Sequence, residues 1–462
     1  MYDLLIAGGG PAGYAAAVRA AQLGGRVLLV EADKVGGTCL HRGCIPAKVL
    51  HKCASAVDEA RDALKRGLLT GNAKANPEMV STRRQEVVSA LHQGLLLLLQ
   101  RKGIETIAGT ARLIGPARVA VDGTAGTSEI VANNILLAAG SQESSPSFPG
   151  AKFLRGVEES LSPPADPCRV VIVGGGNSGL ELGSAYASLG FSVTIIEQAK
   201  SLLPALDDDE CGKWLGFLFR RRGITVYTGA NVLEIHQADR NVHLTVQTAG
   251  KQETIEADMA IAATGRIPCL SVLGDNLNDL EKNSSSGIRV NERQETSIPG
   301  VYAAGDLTGP PMLAHVAYAE GMAAAENALG FSSTVDYRAV PQFVSANPET
   351  AWVGMTEKEA LQAGLACKAG IFPFAASGIA QVDGRTGGFV KIVALQEGDL
   401  VVGMQVIGGP ASEMIMEGVL AIREGLTYAA LACAIHPHPT YSEAVWEAAL
   451  SLKGSTLHAP GR

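Results

Sequence analysis

The sequence predicts an α/β fold in which one strand–turn–helix unit occurs twice and an α+β segment follows. An apolar stretch leads into a glycine turn of the pattern Gly-x-Gly-x-x-Gly and then into helix-forming residues, first within residues 1–13 and again from residue 169. In each copy a second apolar stretch ends in a glutamate, eighteen positions after the last glycine. This register is typical of the dinucleotide-binding Rossmann unit.

Length and charge narrow the classes of function. A chain of 462 residues can hold two to four domains with an ample core. Its net charge of −8 offers no basic face to nucleic acid or to an anionic membrane. The leucines at 95–99 are too few to span a bilayer and are expected to belong to a buried helix or a packing stripe. We therefore expect no nucleic-acid partner, no membrane partner and no metal site.

The cysteines indicate a reducing compartment. The chain has eight, and only Cys39 and Cys44 are close in sequence, so they do not form the framework of a disulfide-stapled fold. The sequence opens with a strand pattern at residues 2–7 rather than with a basic and apolar leader. We expect a cytoplasmic protein.

The first glycine turn directly follows the predicted first strand. It contains Gly8, Gly10 and Gly13. Glycines there let the backbone approach a pyrophosphate at the N-terminus of the following helix. The next apolar stretch leads to Glu31, whose carboxylate can hold ribose hydroxyls. The glycine pattern alone also occurs in plain tight turns, but strand, helix and terminal acid in register favour a nucleotide site.

The second glycine turn follows an apolar strand at residues 169–173. It contains Gly174, Gly176 and Gly179. The stretch 193–196 then leads to Glu197. Two such units imply two dinucleotides. Glu197 should repel a 2′-phosphate and the nearest cation is Lys200, so we expect NAD rather than NADP.

The stretch 36–48 between the first unit and the next predicted helix carries the reactive residues. Cys39 and Cys44 lie five positions apart, and in an ideal helix such a step turns the side chain by roughly 140°. The two thiols can therefore bond only if the first helical turn is opened, which Gly43 and Pro46 permit. The pair is interpreted as a redox dithiol; the alternative is two unrelated buried thiols.

The position of this pair bears on the cofactors. A helix N-terminus and a nearby cation both lower the pKa of a thiol, and Lys48 is the candidate cation. A redox dithiol placed just after the first nucleotide unit implies that the first nucleotide is a flavin. The second would then be a nicotinamide.

Over nearly its whole length the chain resembles the flavin-dependent disulfide reductases. Besides the dithiol stretch, the matching motifs are Ile135–Ser141, Ala263–Arg266, Val301–Asp306, Met312–His315 and His436–Glu443. Each motif is moderately specific, but their order and spacing together are very specific. The likeness is greatest to the members that oxidise protein-bound dihydrolipoamide.

The resemblance implies a domain organisation. The predicted domains are a flavin domain at 1–148, an NAD domain at 149–267, a second flavin-side segment at 268–337 and an α+β interface domain at 338–462. Strand patterns at 388–394 and 400–407 and helix patterns at 412–424 and 442–452 support the last domain. By resemblance this domain forms the interface of a homodimer.

The resemblance also implies catalytic roles. Cys44 would face the flavin, and Cys39 would exchange with the substrate. His438 would move the thiol protons, with Glu443 orienting its other ring nitrogen, since histidine titrates in the required range. An isolated pair of this kind more often belongs to a surface turn, and the matching motif reverses that interpretation. The neighbouring His436 matches a position that is not the base.

The resemblance implies further site residues and also includes those of the two glycine turns. Lys48 and Glu181 would pair beside the reactive nitrogen of the flavin, and Asp306 would hold its ribityl chain. The other implied flavin contacts are Gly8, Gly10, Gly13, Glu31, Gly37, Thr38, Ala111, Gly140, Ser141 and Ala314. The implied NAD contacts are Gly174, Gly176, Asn177, Ser178, Gly179, Glu197, Val232, Ala263, Gly265 and Arg266.

Some positions depart from the family pattern. His41 and Arg42 replace the usual asparagine and a small apolar residue, and Ala47 replaces a serine. Asn177 and Ser178 stand where bulky residues usually line the nicotinamide pocket, so we expect a wider and more polar pocket.

These patterns predict an NAD-linked flavoenzyme that oxidises dihydrolipoamide on a lipoyl-bearing protein. Electrons would pass from the substrate dithiol to the Cys39–Cys44 pair, then to FAD and NAD. One alternative is a reductase of another small disulfide, such as glutathione, run from NADPH. Another is a flavin-stabilised scaffold in an acyl-transfer complex. Mercuric and thioredoxin reductases are disfavoured, since residues 454–462 contain no cysteine.

Overall fold

A computed structural model of the chain describes residues 1–276 and 280–460. The chain divides into two compact units. The first comprises Met1–Val49, Glu78–Ser144 and Gly265–Asp336. The second comprises Leu50–Pro77, Ser145–Thr264 and the residues from Tyr337 onward. The boundaries of the four predicted domains do not coincide with those of the two compact units, and the four domains stay a prediction.

The strands in the described residues are β1 (Tyr2–Ala7), β2 (Val27–Glu31), β3 (Glu105–Ala108), β4 (Thr110–Gly115), β5 (Arg118–Gly123), β6 (Gly126–Leu137), β7 (Ser141–Glu143), β8 (Arg155–Gly156), β9 (Arg169–Val173), β10 (Ser192–Glu197), β11 (Thr225–Thr228), β12 (Ala230–Ala238), β13 (Asn241–Thr248), β14 (Lys251–Ala257), β15 (Met259–Ala262), β16 (Arg266–Pro268), β17 (Val301–Ala303), β18 (Gln342–Val344), β19 (Thr350–Gly354), β20 (Cys367–Pro373), β21 (Phe389–Leu395) and β22 (Val401–Ile407).

The α-helices in the described residues are α1 (Pro11–Gln22), α2 (Gly37–His41), α3 (Cys44–Lys65), α4 (Pro77–Arg101), α5 (Val157–Ser160), α6 (Asn177–Leu189), α7 (Asp209–Arg221), α8 (Ala314–Ala328), α9 (Glu357–Gln362), α10 (Gly378–Asp383), α11 (Ala411–Arg423), α12 (Tyr428–Cys433) and α13 (Glu443–Ser451).

The first unit is built on a parallel sheet in the order β3-β2-β1-β6-β17, and β5 and β4 extend it from β6 as antiparallel strands. The central strand β1 is buried on both faces, which explains its continuous apolar sequence. Leu4 and Ile6 face the core beneath α1 and α8. Leu5 and Ala7 face the opposite core, which β4 and β5 complete.

The second unit contains a second parallel sheet, in the order β11-β10-β9-β15-β8, and an antiparallel sheet of β12, β13 and β14. Its C-terminal part is an antiparallel sheet in the order β18-β19-β22-β21-β20. α11 and α13 pack on this sheet, and Ile392, Met404, Ile415 and Val445 belong to the shared core. The predicted fold class, two Rossmann-like units with an α+β C-terminal part, is confirmed.

The predicted C-terminal elements agree with the structure to within one residue at each end, as β21, β22, α11 and α13. Of the two alternatives for the leucine run 95–99, the packing stripe is confirmed, since Leu95 and Leu99 meet the core of the first unit. Within α4, Leu99 is buried, whereas Leu96, Leu97 and Leu98 are exposed. Successive helical residues turn by roughly 100°, so a continuous run covers every face and only one stripe meets the core. None of the helices within residues 1–276 and 280–460 has the length and apolar character needed to cross a bilayer.

A buried ion cluster in the second unit joins β21 to two helix starts. Lys391 on β21 has a side chain only 3% exposed, and its Nζ lies 2.9 Å from Asp208 Oδ2 and 2.6 Å from Glu357 Oε2. Asp208 also caps α7, since its Oδ1 accepts the N–H groups of Glu210 and Cys211. Burial by itself raises the pKa of Asp208, but the hydrogen bonds from Cys211 and Lys391 outweigh it and lower that pKa.

We expect Lys391→Met to lower the free energy of unfolding by about 3–5 kcal/mol, because it leaves the buried Asp208 carboxylate without its cation. Urea denaturation measures this loss. The matched control is Lys358→Met, since Lys358 pairs with Asp207 at an exposed position and should cost about 0–1 kcal/mol. Equal losses in the two variants would contradict the expectation.

The pH dependence of this loss has a defined sign. Because the folded-state pKa of Asp208 is lowered, its ion pair stabilises the fold above the ordinary carboxyl pKa of about 3.9. That contribution is lost as the pH falls through the folded-state pKa. The difference between wild type and Lys391→Met should therefore shrink below about pH 4 in the same denaturation experiment.

Candidate active site

Close backbone packing shapes the first glycine turn, between β1 and α1. Gly8 has φ +112°, and a Cβ there would lie 2.3 Å from the carbonyl oxygen of Ala138. A Cβ on Gly13 would lie 1.8 Å from the carbonyl oxygen of Gly8. A Cβ on Gly10 would meet no atom within 4 Å. The outer glycines therefore allow the packing, and Gly10 faces open space at the N-terminus of α1, where a pyrophosphate binds in such turns.

The acid that ends β2 is held firmly at this turn. Glu31 Oε2 accepts the N–H of Gly9 at 2.6 Å, and Oε1 accepts that of Asp33 at 2.8 Å. The carboxylate borders a cleft of about 140 Å³. Gly8, Val30, Glu31, Ala111, Cys269 and Val272 are among the residues that line it. The cleft has the position and lining that the adenosine half of a dinucleotide requires.

The dithiol stretch packs directly on this first turn. The N–H of Gly36 donates to the carbonyl of Gly9 at 2.8 Å. Gly37 has φ +59°, and a Cβ there would lie 2.7 Å from Gly10 Cα. Since a side chain at residue 37 would separate the segments, glycine at that position holds the dithiol beside the nucleotide turn.

The predicted opening of the helix is present. α2 ends at His41 and α3 begins at Cys44, so the helix breaks at Arg42 and Gly43. Across this break Cys39 and Cys44 lie within hydrogen-bonding contact, and that contact together with burial raises the pKa of Cys39. The two thiols are thus placed to form and break one disulfide.

Two tyrosines beside the dithiol were missed by sequence reasoning. Tyr14 Oη donates to Tyr318 Oη at 2.8 Å, with Tyr14 in α1 and Tyr318 in α8. Burial raises the pKa of both phenols, and the charges of Cys39 and Cys44 raise it further. Tyr14 directly follows the last glycine of the first turn and offered a signal, but no local pattern pointed to Tyr318.

Three motifs distant in sequence meet in the first unit. Ser141 Oγ donates to Asp306 Oδ2 at 2.5 Å. Arg266 donates from Nε to Ser141 Oγ at 2.7 Å and from Nη2 to the Ser141 carbonyl at 2.8 Å. Arg266, predicted as an NAD contact, therefore lies on Ser141, a predicted flavin residue. Its contact with NAD stays a prediction.

The remaining predicted flavin residues also belong to the first unit. Thr38 lies in α2, Gly140 directly precedes β7 and Ala314 begins α8. One further residue was missed because its signal is purely tertiary: the buried Glu320 accepts the N–H of Gly305, next to Asp306, at 2.7 Å.

The second glycine turn repeats the first. Gly174 has φ +114°, and a Cβ there would lie 2.2 Å from the carbonyl oxygen of Ala263. A Cβ on Gly179 would lie 1.9 Å from the carbonyl oxygen of Gly174, and one on Gly176 would meet nothing within 4 Å. The turn leads into α6, which starts at Asn177 and Ser178.

The acid of the second turn is buried and held like Glu31. Glu197 Oε2 accepts the N–H of Gly175 at 2.6 Å, and Oε1 accepts that of Ala199 at 2.6 Å. Val232 lies in β12 and packs against the core of the second unit. Gly265, which was predicted as an NAD contact, belongs to the first unit and follows Thr264 of the second unit in the chain.

Lys48 and Glu181 lie in different compact units. Lys48 is in α3, four positions after Cys44, and so lies on the same side of the helix. Glu181 is in α6, and its Oε1 accepts the N–H of Ser345 at 2.8 Å. Their pairing beside a flavin stays a prediction.

The predicted histidine and glutamate meet at the start of α13. His438 Nδ1 lies 2.8 Å from Glu443 Oε1, and the N–H of Thr440 donates to Oε2 at 2.8 Å. Burial raises the pKa of Glu443, but the hydrogen bonds from Thr440 and His438 outweigh it and lower that pKa. The imidazole itself is 72% exposed in the single chain. Glu443 is therefore a fixed anion that orients an accessible ring.

His436 is placed differently. Its Nε2 lies 3.1 Å from Glu417 Oε2, and its ring packs 6.5 Å from that of Trp446. The hydrogen bond with Glu417 raises the pKa of His436. Among the described residues, no group of three or more His, Cys, Asp or Glu side chains is arranged to hold a metal ion.

A dithiol packed on one nucleotide turn, a second nucleotide turn and a histidine–glutamate pair define a nucleotide-linked disulfide oxidoreductase. The chain matches the family described as pyridine nucleotide-disulphide oxidoreductase over residues 2–321, and the dimerisation domain of that family over residues 340–449. The chain belongs to this family.

Curated relatives match this chain along its whole length. The dihydrolipoyl dehydrogenase of Thermus scotoductus is 40% identical over 100% of this chain and 99% of its own. One dihydrolipoyl dehydrogenase of Bacillus subtilis is 36% identical, over 99% of each chain. Among solved structures, LpdA from Mycobacterium tuberculosis superposes with a TM-score of 0.87 at 28% identity, covering 97% of this chain and 99% of its own. The Cu(II) complex of the HOCl-induced flavoprotein disulfide reductase RclA from Escherichia coli superposes with a TM-score of 0.86 at 26% identity, with the same coverage.

The cofactors of the chain are FAD and NAD(H), and its residues fit both groups. Each glycine turn leaves open space where a Cβ on its middle glycine would stand, and each has a glutamate held by backbone N–H groups. The dithiol packs on the first turn. A flavin that exchanges electrons with the dithiol must therefore bind at that turn.

We expect Gly176→Ala and Gly179→Ala to fail in different ways. A Cβ at residue 176 enters the open space of the turn, so that variant should keep its melting temperature while its KM for NAD(H) rises by about tenfold or more. A Cβ at residue 179 meets the backbone, so that variant should lose thermal stability. Differential scanning fluorimetry and steady-state kinetics separate the two. An unchanged KM in Gly176→Ala would show that NAD does not cross that space.

Proposed function

We propose that the chain is an NAD-linked dihydrolipoyl dehydrogenase, which oxidises protein-bound dihydrolipoamide to lipoamide. The observation that carries this proposal is the Cys39–Cys44 pair packed on the first glycine turn by Gly36 and Gly37. The full-length likeness to dihydrolipoyl dehydrogenases supports the choice of substrate.

The dithiol chemistry proceeds by two exchanges. A substrate thiolate attacks Cys39 in the Cys39–Cys44 disulfide, which forms a mixed disulfide and releases Cys44 as a thiolate. The second substrate thiol then attacks the substrate sulfur of the mixed disulfide. The bond to Cys39 breaks, so lipoamide leaves and Cys39 keeps the electron pair. FAD, which Gly10 and Glu31 at the first turn would help to hold, would supply two-electron transfer between the dithiol and NAD. The chain itself supplies the two thiols, moves the protons and orients both nucleotides.

Proton transfer is assigned to His438. The lowered pKa of Glu443 keeps this carboxylate ionised at neutral pH, so it accepts Nδ1–H and leaves Nε2 as the base. Nε2 takes the proton of each attacking thiol. Lys48 and Glu181 are proposed to pair beside the flavin, where charge develops during hydride transfer.

The departures from the family pattern concern the substrate and the nicotinamide pocket. His41 is engaged locally, since its Nε2 lies 2.9 Å from the carbonyl of Val35 and its ring meets that of His92 edge-on. Asn177 and Ser178 begin α6 with small polar side chains, which supports the proposal of a wider nicotinamide pocket. Both thiols are present in this chain, as are Gly36 and Gly37, the glycines that pack the dithiol stretch on the first turn.

A reductase of another small disulfide, such as glutathione, is the alternative. The structural likeness to RclA, a flavoprotein disulfide reductase, supports this alternative. Glu197 disfavours NADPH, because its buried carboxylate is fixed at the end of β10. An assay of dihydrolipoamide oxidation against reduction of oxidised glutathione decides between them, and an enzyme that turns over neither would support the scaffold alternative.

The proposed partners are a lipoyl-bearing protein as substrate and a second copy of the chain. The family's dimerisation domain over residues 340–449 supports the homodimer. The cytoplasmic location is proposed from the cysteine pattern, because outside Cys39 and Cys44 the thiols are scattered along the chain.

We expect NAD(H) to exceed NADP(H) by about tenfold or more in kcat/KM, because like-charge repulsion by Glu197 at a desolvated site is worth about 1–3 kcal/mol. Glu197→Gln removes the charge at nearly constant shape and should narrow the ratio. Glu31→Gln, the equivalent change in the first turn, is the matched control and should leave the ratio unchanged. Equal use of both coenzymes by the wild type would show that Glu197 does not face the ribose.

A shared active site is expected from the family resemblance, with His438 of one chain serving the dithiol of its partner. Cys44→Ser and His438→Gln should each be nearly inactive. When the two are unfolded and refolded together, random pairing makes about half of the dimers mixed, and one site in each mixed dimer is intact. Activity should return to roughly a quarter of wild type.

The control for this experiment is each variant refolded alone, which should stay inactive. Native mass spectrometry confirms that mixed dimers have formed. If they form and activity does not return, the shared site is rejected, and with it the placement of His438 against the dithiol of the partner chain.

A further inference from the structure

His438 lies in an exposed loop between two anchored side chains. The loop covers residues 434–442, between α12 and α13. Two positions before His438, His436 is held by Glu417. Three positions after it, Tyr441 is partly buried. Since the imidazole of His438 is itself largely exposed in the single chain, its position depends on how firmly these neighbours are held.

The side chain of Tyr441 is held by a hydrogen bond and by close packing. Its Oη donates to Asp383 Oδ2 at 2.9 Å, and Asp383 is the last residue of α10. Its ring meets that of Phe374 edge-on, with the ring centroids 5.7 Å apart. Gly409, at φ +57°, leaves room for the ring, since a Cβ there would lie 2.8 Å from Tyr441 Cδ1. Three separate segments of the C-terminal part therefore contact this one side chain.

Backbone contacts connect Tyr441 to the histidine–glutamate pair. The carbonyl of Tyr441 accepts the N–H of Ala444 at 3.0 Å, at the start of α13. The N–H of the preceding Thr440 donates to Glu443 Oε2 at 2.8 Å. The other oxygen of Glu443 is the one that His438 meets. The end of the loop, the carboxylate and the imidazole are thus joined in one set of contacts.

The hydroxyl of Tyr441 can be separated from its ring. Burial and the hydrogen bond with Asp383 raise the pKa of Tyr441 to about 12, so the hydroxyl keeps its proton at neutral pH and remains the donor. Phenylalanine at residue 441 would keep the packing on Phe374 and lose the tie to α10.

We propose that Tyr441 is a positioning residue for His438: its hydroxyl, bound by Asp383, fixes the loop that carries the imidazole and so fixes the approach of this base to the thiols. A base must lie within hydrogen-bonding reach of the proton that it takes, so a small displacement of the loop slows proton transfer. The proposal rests on the proposed function, since it takes His438 as the group that moves the thiol protons.

Tyr441→Phe tests this inference in the FAD-loaded enzyme. Rapid quenching and alkylation of the free thiols measure the reduction of the Cys39–Cys44 disulfide by dihydrolipoamide in a single turnover. We expect the rate to fall about three- to tenfold, a small part of the roughly 10²–10⁴-fold that a positioned base contributes. Tyr428→Phe is the matched control and should follow wild type, because the Tyr428 hydroxyl meets Lys368, at 3.3 Å, instead of the loop.

Variants of the acceptor show whether the effect passes through this hydrogen bond. Asp383→Ala should slow the same step by the same factor. The double variant of Tyr441→Phe and Asp383→Ala should be no slower than either single variant, because both remove one shared interaction. Asp383→Asn keeps an oxygen acceptor and should restore most of the rate.

A second reaction separates this role from a merely structural one. Reduction of a small quinone by NADH bypasses the dithiol and His438, so it should be the same in wild type and in every variant. The inference is overturned if Tyr441→Phe reduces the disulfide as fast as Tyr428→Phe, if the two single effects multiply in the double variant, or if quinone reduction falls in parallel.

The proposed function can fail separately. A wild type that reduces another disulfide instead of oxidising dihydrolipoamide would reject the substrate. The same variants would then be compared in a single turnover of the reduced enzyme with that disulfide, in which Tyr441→Phe should again be slowed and Tyr428→Phe should not.

Discussion

The close approach of backbone to backbone at the glycine turns is the constraint on which the rest of the structure depends. At each turn the third glycine brings the following helix against the carbonyl oxygen of the first glycine. A Cβ on the third glycine would lie only 1.8 Å from that oxygen in the first turn and 1.9 Å in the second. This contact seats the helix N-terminus over the end of the central strand. In the first unit, Gly37 then packs on Gly10, so the position of the dithiol follows from the position of the turn.

The regular parts of this arrangement were predictable from the sequence, because they follow from local patterns. Apolar strands, glycine turns and terminal glutamates have fixed spacings, and the structure has them as two parallel sheets with matching turns. The break between Cys39 and Cys44 was also predictable, since an unbroken helix cannot bring them together. His438 and Glu443 meet as expected because they are close in the chain.

The remaining features depend on tertiary contacts that carry no local signal. Tyr14 and Tyr318 are 304 positions apart and meet only because α1 packs against α8. Lys391 reads as one polar residue in an apolar strand, and its partners come from two other elements. Which leucines of the run 95–99 form the packing stripe could not be predicted, because composition does not reveal which stripe of a helix meets the core.

The helix break at Arg42 and Gly43 has a consequence for how substrate preference can diverge. His41 and Arg42 lie between the two thiols, yet the thiol geometry is set by glycine contacts on one side and by the start of α3 on the other. These two positions can therefore change identity while the redox pair stays in place. The identity of the side chains at 41 and 42 is therefore separable from the electron chemistry of the dithiol.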